Sequence, residues 1–234
     1  MISRANQTVA VIAAHPDDEV LGCGGTIAKL ASFGWSIRVL FLADGVSSRY
    51  PNQNFINWEK ELIERKTCAK NASRELGLES SPIFLDYPDN ALDSIPLLSI
   101  TREIEAFLKL HNPNLILTHF PEDLNIDHAI VARAAITASR PGVLETTPDV
   151  WCFEIPSSSE LSINTSARGF VPNSFVDISH TLSKKMKALE CYEYEMRNHP
   201  HPRSTLAIES LATWRGANIC VQAAEAFIVF RQLK

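Results

Sequence analysis

Short apolar runs alternate with longer amphipathic stretches through the first part of the chain. The run at residues 9–14 is rich in Val and Ile and too short for a helix, which is typical of a strand buried on both faces. From Ile100 to Leu108, apolar residues recur at i, i+4, i+7 and i+8, which predicts one apolar face of a helix. The runs predict strands at 9–14, 37–43, 82–87 and 115–120, and helices at 20–32, 58–76, around 100–108 and at 129–138.

This alternation of strands and helices predicts the fold class. Strand–helix repeats of this length favour an α/β protein with a three-layer, Rossmann-like, doubly wound arrangement, a mostly parallel sheet and right-handed crossovers. After Pro141 the pattern loosens into strands at 150–155 and 175–178 and helices from about residue 181. Nothing in that change forces a second domain, so we expect one domain over residues 1–234.

Composition and charge narrow the classes of partner. The chain has 234 residues, of which 45% are hydrophobic and 21% charged, as in an ordinary folded domain. Its formal net charge of −5 provides no basic field for nucleic acid or an anionic membrane. No apolar run approaches the roughly 18 residues of a membrane helix, and the polar start lacks a signal-peptide pattern, so we expect a cytoplasmic protein. A homo-oligomer stays open, because symmetric assemblies are common.

Two polar segments follow predicted strands and carry the candidate chemistry. The first is His-Pro-Asp-Asp-Glu at residues 15–19, followed by three glycines, and the second runs from Asp123 to His128. Ligands of open α/β sheets bind beyond the carboxyl ends of the strands, so both segments should open on one cleft. They supply two imidazoles and one carboxylate in His15, Asp18 and His128, which is a ligand set for catalytic zinc.

In that interpretation the carboxylate of Asp17 is not a metal ligand and is free for another role. A carboxylate beside zinc-activated water can take a proton and later return it to a leaving amine, so the combination is typical of metal-assisted hydrolysis. Two alternatives stay open. Asp17 and Asp18 could simply cap a helix and complement its dipole, and two imidazoles with one carboxylate also match the ligand set of non-haem iron enzymes.

The same residues carry a family resemblance. The run Ala-His-Pro-Asp-Asp-Glu at 14–19, the glycines at 22, 24 and 25, and the segment 123–128 resemble the LmbE-like, or PIG-L, family of zinc-dependent de-N-acetylases. The Asp44-Gly45 turn and residues 197–204 also resemble members, so the match spans most of the chain. The resemblance implies Zn²⁺ on His15, Asp18 and His128, Asp17 as general base, and an N-acetylated sugar or sugar conjugate as substrate.

The chain departs from the family pattern at Asn125. Many members have a histidine there, which is thought to help stabilise the tetrahedral oxyanion, whereas asparagine can donate a hydrogen bond but cannot deliver a proton near neutral pH. One hypothesis is that Asn125 alone polarises the acyl oxygen. The other is that His201, or with less support His199, supplies the missing imidazole, the alternative being that both are surface-loop residues.

Three further residues are predicted to support the site. Asp127 should orient His128 or an adjacent group by a hydrogen bond, unless it caps the helix instead. Arg203 and Arg215 are candidates for binding a phosphate or carboxylate of the substrate, because a guanidinium offers a two-pronged donor; a solvated or structural role is the alternative for each. A carbohydrate-binding protein of this fold without turnover also stays open, although Asp17 argues against it.

Overall fold

Seven strands form one sheet in this computed structural model, which describes residues 7–50, 55–162 and 169–233. Five strands follow the alternating part of the chain, and two come from its last third. The strands are β1 (Thr8–Ala13), β2 (Ser36–Ala43), β3 (Ile83–Tyr87), β4 (Leu115–His119), β5 (Asp149–Phe153), β6 (Ser174–Asp177) and β7 (Ala224–Arg231).

The strand order β3-β2-β1-β4-β5-β7-β6 defines the topology. The first five strands pair in parallel, while β7 runs antiparallel to both β5 and β6. From β1 the chain first adds β2 and β3 on one side and then adds β4 and β5 on the other side. The direction in which strands are added therefore reverses between β1 and β4. A crevice forms at such a reversal because the connections leave the two strands on opposite sides of the sheet.

Helices cover both faces of the sheet. They are α1 (Asp18–Ser32), α2 (Phe55–Glu75), α3 (Leu97–His111), α4 (Ile126–Ala138), α5 (Leu182–Glu190) and α6 (Thr205–Ala217). Apolar residues of α1, α2, α5 and α6 pack in one core, and those of α3 and α4 pack in a second core on the other face. Burial on both faces explains why residues 9–13 of β1 and residues 115–117 of β4 are all apolar.

The structure confirms the predicted α/β fold and its mostly parallel sheet, and it corrects the last third of the chain. The predicted strands and helices of the first 140 residues are present, with ends that differ by a few residues. From about residue 181 the sequence predicts helices and no further strand, but residues 224–231 form β7 between β5 and β6. Within the described ranges, no helix is long and apolar enough to cross a membrane.

Candidate metal centre and active site

The segment after β1 turns sharply at Asp17 and then enters α1. Asp17 has φ of 132° and ψ of −27°, a backbone conformation that residues other than glycine rarely adopt. Its amide donates to Glu19 Oε2 at 3.0 Å, and its carbonyl accepts from the amides of Val20 and Leu21. Strained backbone at a buried polar position is typical of functional sites, and here it directs Asp17 and Asp18 to different neighbours.

Two imidazoles and one carboxylate meet beyond the ends of β1 and β4. Asp18 Oδ2 lies 3.3 Å from His15 Nδ1 and 3.4 Å from His128 Nε2, and donor atoms of the three residues all lie within 4.8 Å of one another. His15 follows β1, Asp18 begins α1, and His128 lies in the first turn of α4. The structure therefore brings together the three residues that the sequence suggested as metal ligands.

Carboxylates hold the far nitrogen of each imidazole. His15 Nε2 lies 3.0 Å from both Asp127 Oδ2 and Asp89 Oδ1, while His128 Nδ1 lies 3.2 Å from Asp123 Oδ1. A metal-bound histidine usually donates its other N–H to a carboxylate or carbonyl, which fixes the tautomer and the ring orientation. This arrangement leaves His15 Nδ1 and His128 Nε2 directed toward Asp18.

Two observations indicate that the ligand atoms of His15, Asp18 and His128 suit a metal cation. Within the described part of the chain, Asp18 Oδ1 is buried without a hydrogen-bond partner, and His128 Nε2 is buried and makes no well-formed hydrogen bond. Burial alone would lower the pKa of His128, but Asp18 and Asp123 raise it to about 9. The same negative field that favours a proton at this point also favours a divalent ion, so the group can hold a metal.

Asp17 lies beside this group but faces two arginines. Its Oδ2 accepts from Arg65 Nη2 at 3.3 Å and from Arg203 Nη1 at 3.2 Å. Burial raises the pKa of Asp17 above its usual value, while the two guanidinium groups oppose that shift. Asp17 is thus a buried carboxylate outside the ligand group, with a pKa moved toward the range in which a group exchanges protons near neutral pH.

His119, at the end of β4, packs beneath the ligand group. Its ring stacks on that of His128 with centroids 4.0 Å apart and meets Phe153 edge-on at 4.8 Å. Its Nε2 accepts from the amide of Ala14 at 2.8 Å, and burial, together with His128, lowers its pKa to about 3. His119 is therefore a neutral, fully buried imidazole that packs against one candidate ligand and holds the backbone next to the other.

Asn125 and Asp127 contact different groups at the start of α4. Asn125 is the N-cap of α4, because its Oδ1 accepts from the amides of Asp127 and His128 at 2.9 and 3.3 Å. Its Nδ2 donates to Asn90 Oδ1 at 3.3 Å. Asp127 is not the cap, and the imidazole it contacts is His15 rather than His128, because α4 begins at Ile126 and directs the two side chains apart.

Of the three predicted site residues near the end of the chain, only Arg203 contacts the site. Arg203 reaches Asp17 and also donates from Nε to Ser157 Oγ at 2.9 Å. His201 is exposed, and its Nδ1 accepts from the amide of Arg203 at 3.0 Å. Arg215 forms a two-pronged pair with Glu154 at 2.8 and 2.7 Å, so its guanidinium is engaged within the protein. None of the hydrogen bonds recorded for the described residues joins His201 or Arg215 to the ligand group.

Three charged residues of the site were not assigned from the sequence. Asp89 follows β3 at the same end of the sheet as the other candidates, so its position after a strand could have indicated it. Arg65 lies in the middle of α2, where it resembles any other charged residue of an amphipathic helix. Glu195 forms an ion pair with Arg65 at 2.5 Å and accepts a hydrogen bond from Arg49 Nη2 at 2.7 Å. Only the folded chain brings these residues together.

Fold and site together define an α/β protein with a histidine–aspartate group that could hold a metal ion where the strand order reverses. Residues 10–139, more than half of the chain, match the family model described as PIG-L, GlcNAc-PI de-N-acetylase. The chain belongs to the PIG-L family.

The chain also resembles a sequence relative and shares its fold with solved structures. A Bacillus cereus protein named as a probable N-acetyl-α-D-glucosaminyl L-malate deacetylase 2 is 28% identical over 183 residues, which are 77% of this chain and 80% of the relative. The Pyrococcus horikoshii N,N'-diacetylchitobiose deacetylase shares the fold with a TM-score of 0.77 at 19% identity, covering 96% of this chain and 84% of that one. The 4-carboxy-2-hydroxymuconate hydratase GalB of Pseudomonas putida also shares it, with a TM-score of 0.74 at 22% identity and coverage of 97% and 98%.

Proposed function

We propose that this protein hydrolyses the acetamide of an N-acetylated sugar or sugar conjugate, giving a free amine and acetate, with Zn²⁺ as its metal. The observation that carries the proposal is the pairing of a His15–Asp18–His128 group with a separate buried carboxylate, Asp17. A binding protein needs no such second carboxylate. The sugar class is supported by the family and by the deacetylase among the relatives.

The metal and the protein have separate parts in this mechanism. Zn²⁺ held by His15, Asp18 and His128 would act as a Lewis acid on the acyl oxygen and would lower the pKa of water in the site. Asp123 and Asp127 keep the two imidazoles oriented for that role.

Asp17 is the proposed general base and acid. Its carboxylate accepts a proton from the attacking water and then delivers it to the amide nitrogen as the C–N bond breaks, so no net proton is gained or lost. Arg65 and Arg203 both contact Oδ2, which fixes the carboxylate and leaves Oδ1 as the oxygen that exchanges the proton.

The oxyanion donor is proposed to be either Asn125 or His201. Asn125 can offer only its Nδ2, since its Oδ1 caps α4. His201 stays the predicted imidazole donor, and Arg203, which is next to Asp17, is the proposed contact for an anionic substituent of the substrate. His201→Ala should lower kcat at least tenfold under this hypothesis, a modest loss for removing a general acid. Wild-type turnover in that variant would leave Asn125 as the donor.

Release of acetate from a panel of substrates tests the proposed reaction. N-acetylated sugars, nucleotide-linked sugars and glycolipid head groups should be compared, with Asp17→Asn as the matched variant. We expect chelation to abolish acetate release and Zn²⁺ to restore it, and Asp17→Asn to lower kcat by about 10²–10⁴-fold while it still binds the metal.

Three results would contradict the proposal. Full amidase activity in metal-free protein would exclude the metal's role, and iron in protein purified without added metal, together with oxygen consumption, would favour a non-haem iron enzyme. Binding of sugars without acetate release would indicate a carbohydrate-binding protein.

A further inference from the structure

Helix α1 contains a break immediately after the segment that carries Asp18. Cys23 has φ of −147° and ψ of 20°, so two helical segments meet there rather than one continuing helix. In a regular helix the amide of Gly25 would donate to the carbonyl of Leu21, four residues earlier. A break at Cys23 exposes both groups inside the protein core, where unpaired backbone polar groups are costly.

A buried ion pair satisfies both sides of this break. Glu225 of β7 accepts from the amides of Gly25 and Thr26 at 2.9 and 2.7 Å. Lys185 of α5 donates from Nζ to the carbonyl of Leu21 at 2.9 Å and contacts Glu225 at 2.7 Å. The Lys185–Glu225 pair therefore replaces, at both ends, the hydrogen bond that the break removes.

The pair is fully enclosed by the fold. Lys185 and Glu225 are each 4% exposed, and Thr181 of the loop before α5 adds a hydrogen bond from Oγ1 to the carbonyl of Gly25 at 2.8 Å. Burying two charges contributes little net stability compared with apolar side chains of similar size. A stabilising role alone therefore does not account for a charged pair that contacts three backbone groups of one helix.

The break determines where Asp18 lies. The first segment of α1 lies so close to β5 that a Cβ at Gly22 would stand 2.3 Å from Cδ2 of Phe153, the ring that contacts His119. Its direction differs from that of the second segment, and Asp18 is its first residue. An unbroken helix would turn Asp18 away from its present contacts with His15 and His128.

We infer that the Lys185–Glu225 pair positions Asp18 for metal binding by fixing the direction of the first segment of α1. The inference rests on the proposed function, since it concerns the metal centre named there. Lys185 and Glu225 are positioning residues, because neither contacts the candidate ligand side chains.

The experiment measures the dissociation constant for Zn²⁺ alone, by competition with a chromogenic chelator, together with the melting temperature of the metal-free protein. Glu225→Gln keeps one acceptor for the amides and should still fold. Its Kd for Zn²⁺ should rise about tenfold, the lower end of the usual loss when the support of a metal ligand is removed. Lys29→Met is the control, because Lys29 joins the second segment of α1 to the carbonyl of Asp177 without contacting the break. Its Kd should stay within about twofold of wild type, because no support of a ligand is lost.

The double variant Lys185→Met, Glu225→Gln separates positioning from stability. It leaves no uncompensated buried charge, so its melting temperature should recover relative to Glu225→Gln, while its Kd for Zn²⁺ should stay raised. A Kd that recovers with the melting temperature, or one that is unchanged in both variants while the wild type binds Zn²⁺, would overturn the inference alone. Absence of Zn²⁺ binding by the wild type would overturn the proposed metal centre and this inference with it.

Discussion

At single positions, the carboxylates behind the two imidazoles should control how firmly a metal ion is held. Asp123 lies 3.2 Å from His128 Nδ1 and also accepts from Ser159 Oγ at 2.5 Å. We expect Asp123→Asn to weaken Zn²⁺ binding about 10- to 100-fold, because a neutral amide supports the imidazole N–H less well than a carboxylate does. Competition with a chelator measures the effect. Asp86→Asn, at an exposed pair with Lys66, is the control, and equal affinities in the two variants would contradict the role of Asp123.

The thiols offer a separate test of burial. Cys152 is buried, which raises the pKa of its thiol to about 12, and burial also raises the pKa of the Cys23 thiol well above its usual value. The thiolate is the form that attacks a thiol reagent, so a raised pKa slows the reaction at mildly alkaline pH. We expect exposed Cys220 to react first in the native protein, and Cys23 and Cys152 only after unfolding.

A chromogenic disulfide, with and without denaturant, measures these rates, and mass spectrometry identifies the modified thiol. Cys220→Ser should remove the fastest phase. Rapid modification of Cys23 or Cys152 in native protein would show that these two thiols are accessible.

Among helices and strands, the close approach of α1 to β5 makes the strongest prediction. A Cβ at Gly22 would stand 2.3 Å from the ring of Phe153, which is fully buried, so either the ring or the helix would have to shift. We expect Gly22→Ala to lower the free energy of unfolding by about 1–3 kcal/mol, the usual cost of overpacking a core. It should also weaken Zn²⁺ binding, since Phe153 contacts His119 and His119 stacks on His128.

Urea denaturation measures that free energy. Gly169→Ala is the matched control, because a Cβ there meets nothing within 4 Å and the residue has no positive φ. Equal stabilities of the two variants would show that α1 can shift away from β5 at little cost.

For the complete fold, the last strand should be indispensable. β7 joins β6 to the rest of the sheet, buries Phe227 against Trp151 and supplies Glu225 to α1. A chain that stops after residue 222 would leave β5 as an open edge and β6 without a partner. We expect that chain to aggregate or to lose cooperative unfolding, whereas one that stops after Gln232 keeps all of β7 and should melt close to wild type. Calorimetry and light scattering distinguish the two, and cooperative melting of the shorter chain would contradict the prediction.

Much of the fold could be predicted from the local pattern of apolar and polar residues. The apolar runs that became β1, β2 and β4 are buried on both faces, so their composition reports their position in the sheet directly. β7 could also have been predicted, because residues 226–230 form an uninterrupted apolar run, and only its place between β5 and β6 required the folded chain. The rule that places ligands beyond strand ends was sufficient to select His15, Asp18 and His128 as neighbours.

The amino-acid sequence therefore specified the strand–helix alternation, the family motif and the residue types able to bind a metal, because each depends on neighbours along the chain. Folding alone decided that Asp127 contacts His15, that Asp123 contacts His128, and that Arg65 and Arg203 meet at Asp17. Except for Asp123 and His128, which belong to one short segment, these contacts join residues far apart in the chain. In each case the partner is set by the direction in which a helix begins. No local pattern records that direction, since it results from packing across the whole sheet.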